Sequence, residues 1–440
     1  MKRMKKICFS AILTIALICN MVLTTAAAAM PSSEEMYAQR ELAGIQQFQR
    51  LMDYFESRAA TASGDGDITA VYPEYYGGAY LNDDGNLVVV MTDMSDKATV
   101  QEVTQNTKLT VQHGAVSLNT LMATYELIWN TYVAYKEMYK GVDESEISPE
   151  MKCYLDNFVG VGVKQSENAV LVDLMNTDEK TIACVKQFLP DVEYVRIAEH
   201  ENILDEQGEF QSANIVNNTS ATSLSMSSVV YQPGNPVHIA GEENCTIGFR
   251  CKILDDGVYK HGFVTAAHGV GILSGTIVYE GNTSGTNNGV IVGRVYGGQL
   301  GGTLDASLVI LEDQTTPISD SAINGAIITD IFFTADETLE GTTAYMVGYK
   351  SGVLSGKVKS VSYTYEDKET GLILNDLVKC DYKGDFGDSG GVVYAQGANG
   401  NYIIGIHRGK PTKLNILQDS VVVKGANILD RWDGIIAGYN

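Results

Sequence analysis

Along residues 33 to 60 the apolar positions Met36, Leu42, Ile45, Phe48, Met52 and Phe55 recur at three- and four-residue spacing, which predicts an amphipathic helix. Ser32 and Ser33, ahead of Glu34 and Glu35, supply its cap. After a Gly/Asp/Ser-rich break, residues 76–81 and 87–91 read as two strands joined by a turn at Asp83-Asp84-Gly85-Asn86. The arrangement returns at residues 159–163 and 170–174, with the turn at Ser166-Glu167-Asn168. Gly78 and Asn86 stand eight apart, as do Gly160 and Asn168, and each hairpin leads into a helix, near 97–105 and 179–188. The pattern predicts an α+β segment built on a two-fold ββα-type repeat, about residues 72–110 and 154–200. Between the copies, residues 118–139 form a long helix whose Tyr and Leu stripe reads as ordinary packing.

Beyond residue 228 the period changes. Short apolar runs at 246–249, 262–265, 276–279, 290–295, 307–311, 345–348 and 356–363 are separated by Gly, Asn and Asp, which predicts an all-β sandwich or barrel. The final stretch reads as a strand over 420–423 and a helix over 426–439, with Ile428, Trp432, Ile435 and Ile436 facing inward. Residues 214–228, rich in Ser, Thr and Asn, read as a linker suited to proteolytic separation of the two halves.

Composition adds the setting. The first 29 residues carry Lys2, Arg3, Lys5 and Lys6, an apolar run from Ile7 to Leu23 and then small residues, the pattern of a secretory signal peptide. A membrane anchor is the alternative, but the run is short for a span. The net charge is −23, of which −19 falls in residues 30–227. Such acidity disfavours nucleic acid and anionic membranes as partners and suits an extracellular protein. Without the first 29 residues the cysteines are Cys153, Cys184, Cys245, Cys251 and Cys380, an odd number that leaves at least one thiol outside any intrachain disulfide. Their spacing fits no zinc site, and neither metal nor cofactor is implied. His113 and His200 stand alone in the acidic segment and carry no chemistry by themselves.

The candidate chemistry lies after residue 228. Gly387-Asp388-Ser389-Gly390-Gly391 has the make-up of a nucleophile loop: a serine on a tight turn, with glycines that let a substrate approach the main chain. A surface turn is the plainer account, but five such residues in a row arise by chance in roughly one chain in a thousand of this length. His268 closes the run Phe263-Val264-Thr265-Ala266-Ala267, and Asp305 stands at the mouth of the strand-like Ala306-Ser307-Leu308-Val309-Ile310. His268, Asp305 and Ser389 follow in that order, 37 and 84 residues apart.

Thr-Ala-Ala-His, Asp-Ala-Ser-Leu-Val-Ile and Gly-Asp-Ser-Gly-Gly in this order resemble a trypsin/chymotrypsin-type serine protease, and most of all the secreted bacterial streptogrisin and α-lytic protease type. The resemblance implies two six-stranded antiparallel barrels with the triad between them, preceded by a pro-region. It implies Ser389 as nucleophile, His268 as general base and then acid, and Asp305 as the group that orients His268. Gly387 and Ser389 would furnish the oxyanion hole. Asp388 would be a buried carboxylate ion-paired with Lys350, in the place of a family arginine. His407, Arg408 and Gly409 would line the primary pocket with Lys383 near its base, a setting that in family members with a histidine at this place accompanies preference for glutamate. Substrates would be proteins or peptides, and the pro-region would act as intramolecular chaperone and inhibitor. The chain departs from the family at Gly269, where cysteine is usual, and at Val392, where proline is common, which puts the family disulfides in doubt. A secreted binding protein on the same fold, without catalysis, would show a damaged triad, and all three residues are present. An adhesion module that stays attached is the alternative role for the acidic segment.

Overall fold

The computed structural model describes residues 32–62, 72–198, 230–281, 289–333, 338–397, 399–410, 419–432 and 435–437. The expected signal peptide, the linker at 214–228 and His200 lie outside them.

The acidic segment opens with α1 (Ser33–Ala62), whose face of Ile45, Phe48, Leu51, Met52 and Phe55 is buried. Strands β1 (Tyr76–Leu81) and β2 (Leu87–Met91) pair antiparallel, α2 (Lys97–Val103) follows, and β3 (Thr110–His113) returns parallel to β2. After α3 (Leu118–Met138) and α4 (Pro149–Asn157), the same order recurs. Strands β4 (Phe158–Lys164) and β5 (Ala169–Leu174) pair antiparallel, α5 (Glu179–Lys186) follows, and β6 (Val195–Ile197) lies parallel to β5. Each expected hairpin and helix is therefore completed by a third strand that the hydrophobic pattern does not announce.

The remainder forms two largely antiparallel β bodies, the double-barrel arrangement implied by the resemblance. In the first, β7 (Pro236–His238), β8 (Cys245–Thr246), β9 (Arg250–Asp255), β10 (Val258–Thr265), β11 (Ile277–Glu280), β12 (Ile291–Gly301) and β13 (Leu304–Leu311) join one sheet, with the short α6 (Ala267–Val270) after β10. In the second, β14 (Ile328–Phe332) lies along β19, while β15 (Thr343–Gly348), β16 (Gly352–Asp367), β17 (Leu372–Cys380), β18 (Val392–Gly397), β19 (Gly400–Gly409) and β20 (Ser420–Lys424) run in the order β15-β18-β19-β20-β17-β16. Pairing of β15 with β16 closes this six-stranded barrel.

The C-terminus corrects the expected long helix. Only α7 (Gly425–Arg431) is helical, and β21 (Ile435–Ala437) pairs with β9, so the first sheet has eight strands. Gly434 disfavours continuation of a helix, and the paired isoleucines after it favour a strand.

The acidic segment is fused to the second barrel through a shared sheet. Strand β4 pairs with β16, placing Gly160 opposite Tyr365 and Gly162 opposite Tyr363. One apolar cluster runs from Phe48 and Val89 through Phe158 to Val378 and Ile404, so no dry gap separates the two parts. Polar groups buried along the seam find partners. Asp173 accepts from Tyr363 Oη at 2.7 Å and from Lys379 Nζ at 2.8 Å. Burial works to lower the Lys379 pKa, yet Asp173 and Asp419 hold it above the ordinary lysine value. Further along, Lys164 pairs with Glu340 at 2.6 Å.

Removing one partner of a buried ion pair strands the other's charge. Asp173→Ala is therefore expected to lower stability of the full chain by about 3–5 kcal/mol in urea unfolding. A loss below about 1 kcal/mol would class the pair with exposed ion pairs instead.

Candidate active site

The antiparallel register of β10 and β13 sets Thr265 opposite Ser307, which carries the residues just beyond, His268 and Asp305, to the same end of the sheet. Asp305 is fully buried. Its Oδ2 accepts from His268 Nδ1 at 2.7 Å, and its Oδ1 accepts the His268 backbone N–H at 2.9 Å. Two anchors on one residue fix both the carboxylate plane and the imidazole. Burial works to raise the Asp305 pKa, but His268 and then Arg408 bring it below the ordinary value, so the carboxylate is ionised at neutral pH. The His268 side chain is 30% exposed and open to a substrate.

Ser389 comes from the second body, in the turn between β17 and β18. Two contacts, both from Thr246, tie that turn to the first body. Thr246 donates its N–H to the Ser389 carbonyl at 2.8 Å and its hydroxyl to the Gly387 carbonyl at 2.6 Å, while accepting from Tyr349 N. Thr265, at the end of β10, donates its hydroxyl to the Thr246 carbonyl at 2.7 Å. On the other side, Gly390 N donates to the His407 carbonyl, and His407 N donates back to Gly391, each at 2.8 Å. Positive φ at Gly387 (102°) and Gly390 (88°) makes the turn, a conformation disfavoured with a Cβ.

The result is a glycine-flanked serine turn held from both sides. Ser389 Oγ contacts the Arg408 carbonyl at 3.5 Å, and among the described residues no hydrogen bond joins it to the His268 ring. The N–H groups of Asp388, Gly390 and Gly391 all donate within the protein, whereas among the described residues those of Gly387 and Ser389 have no internal acceptor. Two unused donors beside a serine hydroxyl are the make-up of an oxyanion hole.

The expected ion pair is corrected. Asp388, fully buried, accepts from the backbone N–H groups of Lys350 and Ser351 at 2.9 Å each and from Asp385 N at 2.8 Å. Among the described residues Lys350 and Asp388 form no salt bridge. Backbone donors already satisfy the carboxylate, so the lysine head group is not needed there.

The pocket candidates separate. His407 is buried on β19 against Gly384, with Nδ1 3.2 Å from Tyr382 Oη. Burial, aided by His268, Arg408 and Lys410, pushes its pKa down to about 3, so the ring is neutral. Lys383 is exposed, as is Phe386 on the same turn. The Arg408 guanidinium does not offer itself to the pocket: Nε lies 3.3 Å from Asp305 Oδ2, and an Nη lies 3.1 Å from Asp367 Oδ2. Gly409 has φ 133° and open space about it.

Sequence reasoning missed Thr246 as the hub between the bodies and Asp367 as the partner of Arg408. Thr246 opens the apolar run at 246–249, but nothing local marks its hydroxyl. Gly269 also gains a reason, since a Cβ there would stand 2.9 Å from Cys245 Sγ. All five described cysteines are free thiols. Among the described residues no group of three His, Cys, Asp or Glu side chains could hold a metal ion. No described helix is long and apolar enough to cross a membrane.

Residues 32–139 match the family described as a Pro-like N-terminal domain. Among solved structures the chain is similar to Thermobifida fusca protease A, at 20% identity and a TM-score of 0.37, over 48% of this chain and 100% of that one. It is likewise similar to Nocardiopsis protease, at 19% identity and a TM-score of 0.37, over 48% and 100% of the two chains. A structure described as a glutamic acid specific serine protease that uses a histidine triad in substrate binding gives 20% identity, a TM-score of 0.37 and coverage of 47% and 100%. A search of curated proteins finds no match.

Two expectations follow. Lys350→Ala is expected to change stability by no more than about 0.5 kcal/mol, whereas Asp388→Ala, which strands three N–H groups, lowers the thermal midpoint and the reactivity of Ser389. Because an unfolded His407 takes a proton near its ordinary 6.5 and the folded one only near 3, the unfolded chain binds more protons in between. That contribution to stability is whole above about pH 6.5 and is lost as pH falls toward 3. His407→Gln should flatten the acid-side fall in Tm, and an unchanged slope would remove His407 as its source.

Proposed function

We propose that the protein is a secreted serine endopeptidase made as a zymogen, with residues 1–29 as signal peptide, 30–227 as pro-region and 228–440 as protease. The observation that carries this reading is the buried, doubly anchored Asp305–His268 pair, at 2.7 and 2.9 Å, beside a glycine-flanked serine with two unused N–H donors. His268 would take the Ser389 proton as the hydroxyl attacks the scissile carbonyl and return it to the leaving amine. The N–H groups of Gly387 and Ser389 would hold the oxyanion, a role worth about 3–4 kcal/mol per donor. Asp305 would keep the imidazole in the tautomer with its proton on Nδ1 and stabilise the imidazolium.

The pro-region would template folding and inhibit the enzyme. Its strand β4 supplies an edge to β16, a pairing across about 200 residues of sequence, which is slow to find unaided. The preference is for Glu or Asp before the cut, with His407 and Lys383 as the specificity residues. With His407 neutral, that recognition would draw on imidazole hydrogen bonding and on the exposed Lys383 ammonium.

A fluorophosphonate probe is expected to label the protein and to fail with Ser389→Ala. Asp305→Asn should lower the rate by about 10⁴-fold, through the wrong tautomer. Labelling that persists in Ser389→Ala would overturn the protease reading. In a panel of chromogenic peptides, turnover after Phe, Leu or Arg equal to that after Glu would overturn the acidic preference alone.

A further inference from the structure

We propose that Arg408 is a positioning residue of the His268–Asp305 pair, holding the carboxylate and setting by its charge the pH at which the imidazole serves as base. The proposal rests on the reading of Ser389, His268 and Asp305 as a protease triad.

Arg408 follows His407 on β19, and its carbonyl faces the Ser389 hydroxyl. Its side chain is 12% exposed and turns from the strand toward two carboxylates. Nε lies 3.3 Å from the same Asp305 Oδ2 that accepts His268 Nδ1, and an Nη lies 3.1 Å from Asp367 Oδ2. Among the described residues the Nε–H makes no well-aligned hydrogen bond, so its contact with Asp305 is electrostatic. Away from bulk water such a contact is felt strongly.

A carboxylate beside a guanidinium has part of its charge answered before the imidazole takes a proton. The imidazolium is then stabilised less than it would be by a free carboxylate. Asp367 pulls the other way by sharing the guanidinium charge. Its place is set from outside the triad. Asp367 ends β16, and its Oδ1 accepts Glu369 N at 3.0 Å within the turn. Its neighbours Glu366 and Lys368 are tied to the acidic segment: Lys368 Nζ donates to Tyr132 Oη at 2.7 Å and to the Leu155 carbonyl at 2.8 Å, and Glu366 meets Lys136 and Tyr132.

Among the described residues the other titratable groups facing this cluster are few. The Tyr365 hydroxyl is buried, with no hydrogen-bond partner among those residues, in the field of Arg408, Asp305 and Asp367. On the imidazole side stand His407 and, in the field of Asp305, the Cys245 thiol, with Lys410 further along. His407 is neutral and the thiol is raised to about 12, so neither charges over the range of interest. Arg408 and Asp367 are therefore the charges that tune the pair.

The test is the pH dependence of fluorophosphonate inactivation of the full chain as secreted. Arg408→Gln is expected to move the midpoint of the acid limb up by about one unit, the scale of shift for a charge at this distance. Asp367→Asn is expected to move it down, by about half a unit. Arg408→Lys, which keeps the charge without the fork, should leave the midpoint near the wild type and lower the plateau rate. Lost packing alone would reduce the rate at every pH and move no midpoint. If Arg408→Gln fails to fold, the direction given by Asp367→Asn decides. Coincident midpoints in wild type, Arg408→Gln and Asp367→Asn would overturn the proposal. A wild type that is not labelled, or a Ser389→Ala that is, would overturn the protease reading and this proposal with it.

Discussion

A fully buried carboxylate is tolerated only where its charge is answered, and Asp305 sits at the seam where every part of the site must answer it. His268 contributes a ring N–H and a backbone N–H from the first body. Arg408 contributes a guanidinium from the second. Separation of the two bodies would therefore take the guanidinium away and leave the carboxylate to the His268 donors alone. Thr246 reinforces the seam at the nucleophile turn by spending its hydroxyl and its N–H on the same five-residue loop.

The second seam, between the acidic segment and the closed barrel, obeys the same rule with different groups. Pairing of β4 with β16 is a main-chain contact and specifies register only weakly by itself. Asp173 beneath Tyr363 and Lys379, and Glu340 beside Lys164, are satisfied only when the strands meet in this register. Burying them costs desolvation that apolar residues would avoid, so specificity of docking is what they add. Separate contacts, of Lys368 and Glu366 with Tyr132, Leu155 and Lys136, carry this seam to the turn at Asp367 beside Arg408.

What was legible in the sequence was whatever is local. The motifs around His268, Asp305 and Ser389 sit on short strand ends and one turn, each readable within six residues, and the hairpins of the acidic segment carry their own glycines and turn residues. Strands β3 and β6 were not legible: Thr110–His113 has no fully buried position and Val195–Ile197 is only three residues long. They become strands because β2 and β5 offer them an edge. The helix expected at the C-terminus fails for a similar reason, since β9 has an open edge that Ile435–Ala437 can fill. The Lys350–Asp388 pair was inferred from residue types, and residue types do not reveal that main-chain donors have already filled a carboxylate. Arg408 was placed in the pocket because of its strand, but its long side chain reaches Asp367, 41 residues earlier in the chain.

These last two cases bear on what the site can recognise. A pocket that prefers an acidic side chain needs a donor whose charge or proton is free. Arg408 is committed to Asp305 and Asp367, whereas Lys350 gives only its backbone N–H to Asp388 and its side chain is exposed to solvent. A neutral His407 can donate one ring proton but carries no charge, while its contact with Tyr382 orients it. Lys383 and Lys350 are nearby cations exposed to solvent, where attraction for a carboxylate is screened by salt. Discrimination between Glu and an uncharged side chain at this site would therefore depend on a well-aimed hydrogen bond from His407, with Lys383 adding a contribution that fades as ionic strength rises.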